Sequence, residues 1–323
     1  MTSMRAASAT PAQPYETLAP PGAAPRRSRA YLPICIIALA AAFLGPLPAA
    51  NPASSAQDTV SALSVPARDW AADCATNEVL VIQHPGSYLR YRMHVVDDKG
   101  DQLRDQIETP DGSVARLIER DGRPLTPDED SAERDRLTYL MNSPAVFARH
   151  IKSETANKKY GIDLLKLMSD AMLWTYTPNQ PQLPGQAAGD PPLVVLDFKP
   201  NPKWSPPNIP SESLTGFEGR VWIDPRTRRM VRLEGDLFQP VNIGWGMVGH
   251  LYPGGKVLME QTNAAPQRWI VDHIDMQFAV RVLMLKTVKV HSRYDTPAVF
   301  QTVPAMTYQQ AIKMLLDTPL PAH

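Results

Sequence analysis

Apolar and polar residues alternate with a period of two along much of the chain after residue 87, which is the pattern of half-buried β-strands. In the segment 88–96, the odd positions hold Leu, Tyr, Met and Val, whereas the even positions include two arginines and a histidine. Two shorter alternating runs follow at 103–108 and 114–119. The Asp-Gly dipeptides at 111–112 and 121–122 favour tight turns beside these runs. The pattern therefore predicts a β meander at the start of the folded region.

The alternation returns in the second half of the chain, and it predicts strands at 193–198, 215–224, 228–238, 239–248, 255–262, 267–280 and 282–293. In the long strand 267–280, the pattern places Ile270, Ile274, Met276 and Phe278 on one face and Trp269, Val271 and His273 on the other. Several strands are apolar on both faces, so the sheet must curl round a cavity or be covered by helices. We therefore expect a mainly β, α+β fold: a large curved antiparallel sheet, or half-barrel, of nine to eleven strands.

A helical insert is predicted at about 126–174, between the meander and the later strands. It begins at Thr126-Pro127-Asp128-Glu129, where a Thr N-cap, a proline at the first helical position and a glutamate at the third form a capping box. Further helices are expected at about 143–152 and 160–173. A connector with ten prolines spans 178–210, and a last helix is expected at 307–316.

Residues 1–56 differ from the rest of the chain in composition. Arginines at 26, 27 and 29 precede an apolar run at 31–44, and Ser54-Ser55-Ala56 follows it. A basic region, a short apolar core and small residues at a cleavage site are typical of a signal peptide. We expect a disordered leader plus signal peptide, cleaved after Ala56, and export of a single curved-sheet domain at 57–323 to the periplasm or outer envelope. The alternative is an N-terminal membrane anchor.

Charge and cysteine content exclude two classes of protein. The 33 basic and 33 acidic residues balance, which argues against a protein that binds nucleic acid through its phosphates. Two cysteines cannot build a disulfide scaffold. Cleavage after Ala56 would leave Cys74 alone, and we expect a half-buried structural thiol there.

Four segments carry a resemblance to a known family, at 116–126, 198–207, 219–224 and 244–251. They include Arg-Asp-Gly-Arg-Pro, Lys-Trp-Ser-Pro-Pro, Gly-Arg-Val-Trp-Ile-Asp and Gly-Trp-Gly-Met-Val-Gly. With them, the region 75–318 resembles a family of uncharacterised exported bacterial proteins that are grouped with outer-membrane lipoprotein-sorting proteins. The element order is also similar to the periplasmic lipoprotein-carrier fold. That resemblance implies a half-barrel with the inserted helices as a lid over a hydrophobic cavity.

The 13 methionines and six tryptophans suggest how such a cavity would be lined, because flexible thioethers adapt to variable apolar ligands. The candidate ligand-binding residues are Met168, Met172, Trp222, Trp245, Met247, Trp269, Met276, Phe278 and Met284. The expected partner is a hydrophobic ligand, either a lipid or the acyl chain of a lipoprotein. Ordinary core packing explains the same residues at least as well, and an envelope protein partner is the alternative to a lipid.

Motifs for catalysis, nucleotides and metals are weak. Residues 244–249 spell G-x-G-x-x-G, but β segments flank them and no helix fits, so we predict a glycine-kinked strand rather than a nucleotide site. His273 stands beside Asp272 and Asp275 in a predicted strand, which indicates a solvated strand face rather than a metal site. There is no G-x-S-x-G motif. We therefore predict no catalytic residue, no metal and no cofactor, and a hydrolase assembled from distant residues is the remaining enzymatic alternative.

Overall fold

A large, curved antiparallel sheet that does not close dominates the computed structural model of the protein. The structure describes residues 63–84, 86–186, 190–265, 268–296 and 299–320. Within these residues the sheet has 14 strands, more than the predicted nine to eleven. The predicted leader, the signal peptide and the cleavage site after Ala56 lie outside the described residues. The mainly β fold with a large curved antiparallel sheet is confirmed.

The strands are β1 (Tyr88–Asp97), β2 (Gly100–Ile107), β3 (Val114–Arg120), β4 (Arg123–Pro124), β5 (Met172–Tyr176), β6 (Val194–Pro200), β7 (Phe217–Asp224), β8 (Arg229–Leu237), β9 (Val241–Ile243), β10 (Gly249–Leu251), β11 (Gly255–Ala265), β12 (Arg268–Val282), β13 (Lys286–Asp295) and β14 (Phe300–Val303). The helices are α1 (Ala67–Gln83), α2 (Pro127–Asn142), α3 (Pro144–Ala171) and α4 (Tyr308–Asp317), with a 3₁₀ helix at Ile209–Gly216.

The strand order joins the two halves of the chain in one sheet. The main path runs β4-β3-β2-β1-β13-β12-β11-β8-β7-β6-β5. The late strand β13 therefore pairs with the first strand, β1, which also pairs with β14. Beyond the main path, β10 pairs with both β9 and the end of β12. This last pairing positions the candidate site described below.

Across the centre of the sheet, one face is apolar and the other is charged. One row of paired residues contains Leu196, Val221, Leu233, Met259, Ile274, Tyr294 and Val95. All of these except Tyr294 are buried. The adjacent row, on the opposite face, contains Asp197, Arg220, Glu234, Leu258, Asp275, Arg293 and Val96. At this row the sheet is therefore apolar on one face only, although the sequence suggested two apolar faces for several strands.

The long strand β12 contains a bulge that its sequence pattern did not indicate. Glu260 of β11 pairs with His273, but Gln261 pairs with Val271, so Asp272 is an extra residue. The backbone carbonyl of Asp272 instead accepts a hydrogen bond from the N–H of Thr296 at 2.7 Å. A bulge interrupts strict alternation. The predicted division of the strand is nevertheless kept, because Ile270, Ile274, Met276 and Phe278 are buried whereas Trp269, Val271 and His273 are half-buried.

The helices follow the predicted starts better than the predicted ends. The capping box at Thr126 and Glu129 is present and begins α2. The predicted helices at 143–152 and 160–173 are one continuous helix, α3, and that prediction of a break is wrong. Met172 begins strand β5 instead of ending a helix, because its backbone pairs with Pro200 of β6. Tertiary pairing thus overrides local helix propensity there.

Helix α1 binds the sheet through a buried polar network as well as apolar contacts. Glu78 accepts hydrogen bonds from the Arg229 side chain at 3.0 and 3.2 Å, from the backbone N–H of Met230 at 3.0 Å and from Gln261 at 3.2 Å. Glu78 and Arg229 are both buried. On the same helix Cys74 is buried, and burial raises the pKa of its thiol well above the ordinary value. An inert structural thiol is the consequence.

Candidate functional site

The nine predicted ligand-binding residues separate into three groups in the structure. Met172, Met276 and Phe278 are buried in the core, and Trp222 is buried elsewhere on the sheet. Met168 and Trp269 are half-buried. Trp245, Met247 and Met284 are exposed. The structure brings only this last group together at an accessible surface.

Phe278 and Met276, two of the buried candidates, are packed in the core of the sheet. The Phe278 ring lies over Gly255, where an added Cβ would come within 2.4 Å of the ring. It also meets the Phe217 ring edge-on, with centroids 5.7 Å apart and planes at 76°. Met276 pairs with Val257 on β11. These contacts are those of a packed core.

Trp222 and Trp269 lie among arginines. The indole N–H of Trp222 donates to the carbonyl of Pro181 in the proline-rich connector at 2.8 Å. The guanidinium groups of Arg220 and Arg232 each lie 5.8 Å from the Trp222 ring centroid. Arg229 lies 5.9 Å from the Trp269 ring. Such cation–π packing stabilises the rings where they are, so both tryptophans have a structural role.

The exposed group lies where two hairpin turns emerge side by side. The turn between β9 and β10 spans 244–248, and the turn between β12 and β13 spans 283–285. Because Gly249, the first residue of β10, pairs with Val282, the last residue of β12, both turns leave the sheet at the same end. The N–H of Leu283 donates to the carbonyl of Val248 at 3.2 Å and joins them directly. We call residues 244–248 and 283–285 the apolar tip.

Large apolar side chains of the apolar tip face solvent. Trp245 is 83% exposed and Leu285 is 86% exposed. The other exposed members are Met247, Val248, Leu283 and Met284. Ile209, at the start of the 3₁₀ helix, is also exposed and lies against Gly244. Single exposed apolar residues are common, but a contiguous group of this size marks an interaction surface.

The backbone of the apolar tip is strained. Leu283 and Met284 have φ values of 48° and 56°, and Trp245 has a φ of 55°. The N–H of Leu285 donates to the carbonyl of Val282 at 3.0 Å, which closes a turn with two left-handed central residues. Turns of this kind favour Asn-Gly, because larger side chains are costly in the left-handed region. The strain indicates that the identity of these side chains serves a function other than stability.

Replacing Leu283 by Asn and Met284 by Gly is expected to raise the free energy of unfolding by about 1–2 kcal/mol, because the strain at both positions is removed. Urea denaturation would measure the gain. Val299→Asn is the matched control, since it makes an exposed apolar residue polar where no strain is recorded. An equal rise in the free energy of unfolding of the control would show that the effect comes from the more polar surface and not from relief of backbone strain.

The sequence carries a signal for this turn, although its alternation predicts a strand there. The predicted strand 282–293 covers the whole turn. The nine candidates are all methionines or aromatic residues, so Leu283 and Leu285 are not among them. Three consecutive apolar residues at 283–285 do break the alternation on either side. That break, followed at once by Lys286, is the signal that would have found them.

Histidines and carboxylates pair on the polar face of the sheet. The Nδ1 atom of His273 lies 2.5 Å from Oδ1 of Asp295, and Nε2 of His291 lies 3.2 Å from Oδ1 of Asp275. Burial disfavours the charged form of Asp295, but hydrogen bonds from His273 and Arg293 outweigh it, so the pKa of this carboxyl is lowered. No group of three or more His, Cys, Asp or Glu residues within the described part of the chain could hold a metal ion.

Asp295 gives a pH-dependent contribution to stability. Because its pKa is lowered on folding, its contribution is present above the unfolded pKa of about 3.9 and is lost as the pH falls through the folded value. Asp295→Asn is expected to lower the free energy of unfolding at pH 7 by at most about 1 kcal/mol, because the pair is partly exposed. In thermal unfolding, the difference from the parent protein should disappear at a pH below the folded pKa of Asp295. A difference that persists there would contradict the electrostatic origin.

Comparison of the chain with protein-family models, with curated proteins and with solved structures finds no match. The resemblance to lipoprotein-sorting proteins therefore stays a prediction. Among the described helices, including the 28-residue α3, none is both long and apolar enough to cross a membrane.

Proposed function

We propose that this protein is an exported, non-enzymatic binding protein of the cell envelope whose partner is hydrophobic, either a lipid or the acyl chain of a lipoprotein. The observation that carries the proposal is the apolar tip, where Trp245, Met284 and Leu285 are exposed together. A contiguous apolar surface in contact with water marks a binding site, because a partner that covers it removes it from water and this burial drives binding.

The position of the apolar tip favours it as the first contact with a ligand. Met172, Met276 and Phe278 are buried, so a ligand would reach them only after a rearrangement of the core. The apolar tip is accessible in the structure as it stands. An acyl chain laid across the two turns would contact thioether, indole and isobutyl groups, which adapt to chains of different length.

The polar face supports a non-enzymatic role. His273 and His291 are paired with carboxylates on adjacent strands, and Asp295 also accepts a hydrogen bond from Arg293 at 2.5 Å. These contacts fit a network of cross-strand ion pairs that stabilises a solvated sheet face.

Native mass spectrometry of the protein purified from the envelope fraction of its producing cells tests the proposal. We expect a co-bound lipid mass, together with saturable binding of a fluorescent fatty acid that weakens in Trp245→Ser and Leu285→Ser. Val299→Ser is the matched control, because it removes an equally exposed apolar side chain outside the apolar tip. A reproducible protein partner with neither lipid mass nor fatty-acid binding would favour the envelope protein–protein module instead.

A further inference from the structure

We infer that the apolar tip docks on the surface of an anionic lipid bilayer, with its two turns inserted among the headgroups. This inference rests on the proposed function and specifies its site and its lipid class. The two turns lie side by side at one end of the sheet, so both can enter the same leaflet at once.

The side chains of the apolar tip match the layers of a membrane interface. Leu285 and Met284 end on apolar groups that suit the boundary with the acyl chains, and both are exposed. Trp245 combines an apolar ring with a polar N–H, a combination that favours the headgroup level. Trp245, Leu283 and Met284 combine a left-handed backbone with exposed side chains, and folding alone gains nothing from either.

Basic residues stand directly behind the apolar tip. Lys286 follows Leu285, and Lys289 lies three residues further along β13. Both lysines are exposed, and neither forms an ion pair among the residues described by the structure. These cations complement the phosphates of an anionic surface.

A bilayer fits this surface better than a folded protein does. A stable protein interface takes about 800 Å² and 20–30 residues from each partner. The apolar tip offers the eight residues at 244–248 and 283–285, and they protrude as turns instead of lining a groove. Many peripheral proteins bind to a membrane by shallow insertion of a few apolar residues that lie beside basic residues.

Sedimentation with sucrose-loaded vesicles tests the inference, with the protein as purified from the envelope fraction. We expect binding to vesicles of phosphatidylcholine with about 30% phosphatidylglycerol, and much weaker binding to phosphatidylcholine alone, because the cations require anionic lipid. Trp245→Ser with Leu285→Ser should weaken binding at least about tenfold, because two apolar anchors are lost. Lys286→Glu with Lys289→Glu should weaken binding to the anionic vesicles and reduce its salt dependence.

Matched controls separate the apolar tip from general effects of surface change. Tyr139→Ser with Val299→Ser removes side chains that are 62% and 80% exposed on other parts of the surface. Lys166→Glu with Lys313→Glu makes the same charge change on α3 and α4. We expect both controls to bind like the parent protein, and near-ultraviolet circular dichroism should confirm that every variant is folded.

The outcomes distinguish this inference from the proposed function. If fatty-acid binding is retained but the tip variants bind vesicles as well as the controls do, membrane docking at the apolar tip is wrong and hydrophobic ligand binding stands. Equal binding to anionic and uncharged vesicles overturns the role of the lysines and with it the inference. If neither fatty acid nor vesicle binds, the proposed function itself fails.

Discussion

Replacement of Glu78 by alanine is expected to lower the free energy of unfolding by about 3–5 kcal/mol, because it leaves a buried arginine without its carboxylate. Glu78 and Arg229 are 2% and 5% exposed, so water does not replace the lost contacts. The substitution also removes the acceptor for the N–H of Met230 and for Gln261. Four hydrogen bonds that hold α1 to β8 and β11 therefore disappear together.

Asp73→Ala is the matched control for this prediction. Asp73 lies on the same helix and pairs with Arg228, but both side chains are partly exposed. A loss of no more than about 1 kcal/mol is expected, as for other surface ion pairs. Chemical denaturation monitored by tryptophan fluorescence would measure both variants. Equal losses in the two variants would show that the Glu78 network adds no more to stability than a surface pair does.

Replacement of Gly219 by alanine is expected to lower the free energy of unfolding by about 3 kcal/mol, because the added methyl has no space. Gly219 of β7 pairs with Gly235 of β8. A Cβ at Gly219 would lie 2.0 Å from the carbonyl oxygen of Glu234, which is backbone and cannot rotate away. The Phe198 ring lies 2.8 Å from the same position. The two strands would have to separate to accept the methyl.

Gly249→Ala provides the control, since the nearest atoms to its added Cβ are 3.7 Å away. That is an ordinary van der Waals contact, so we expect a change within about 1 kcal/mol. Hydrogen exchange at β7 and β8, measured with denaturation, would locate the effect of Gly219→Ala. Exchange protection that is unchanged in these strands would contradict the steric explanation.

Local patterns were sufficient for most strands and for the helix starts. The alternation over 88–96 predicted β1, and the odd positions Leu89, Tyr91 and Val95 are buried as expected. The capping box at Thr126 predicted the start of α2, because N-cap hydrogen bonds form within four residues of sequence. In both cases the deciding interactions are short in sequence.

Features that depend on distant partners were not predictable in this way. Strand β5 exists because Met172–Tyr176 pairs with β6, a strand that lies within the proline-rich connector 178–210. The bulge at Asp272 depends on how β12 pairs with β11 and on the hydrogen bond that the N–H of Thr296 donates to the Asp272 carbonyl. A residue pattern records which face a side chain prefers, but it does not record which strand will lie beside it.

The candidate site shows the same division. Residue type alone selected Trp245, Met247 and Met284 among nine candidates, and the alternation of apolar and polar residues predicted the mainly β fold. Only the tertiary structure decided that these three residues meet at the surface, whereas Met276 and Phe278 pack inside. The reason is the pairing of Gly249 with Val282, a contact between strands 33 residues apart that places two turns side by side. Composition and alternation are properties of the chain, whereas the grouping of side chains into a surface is a property of strand order.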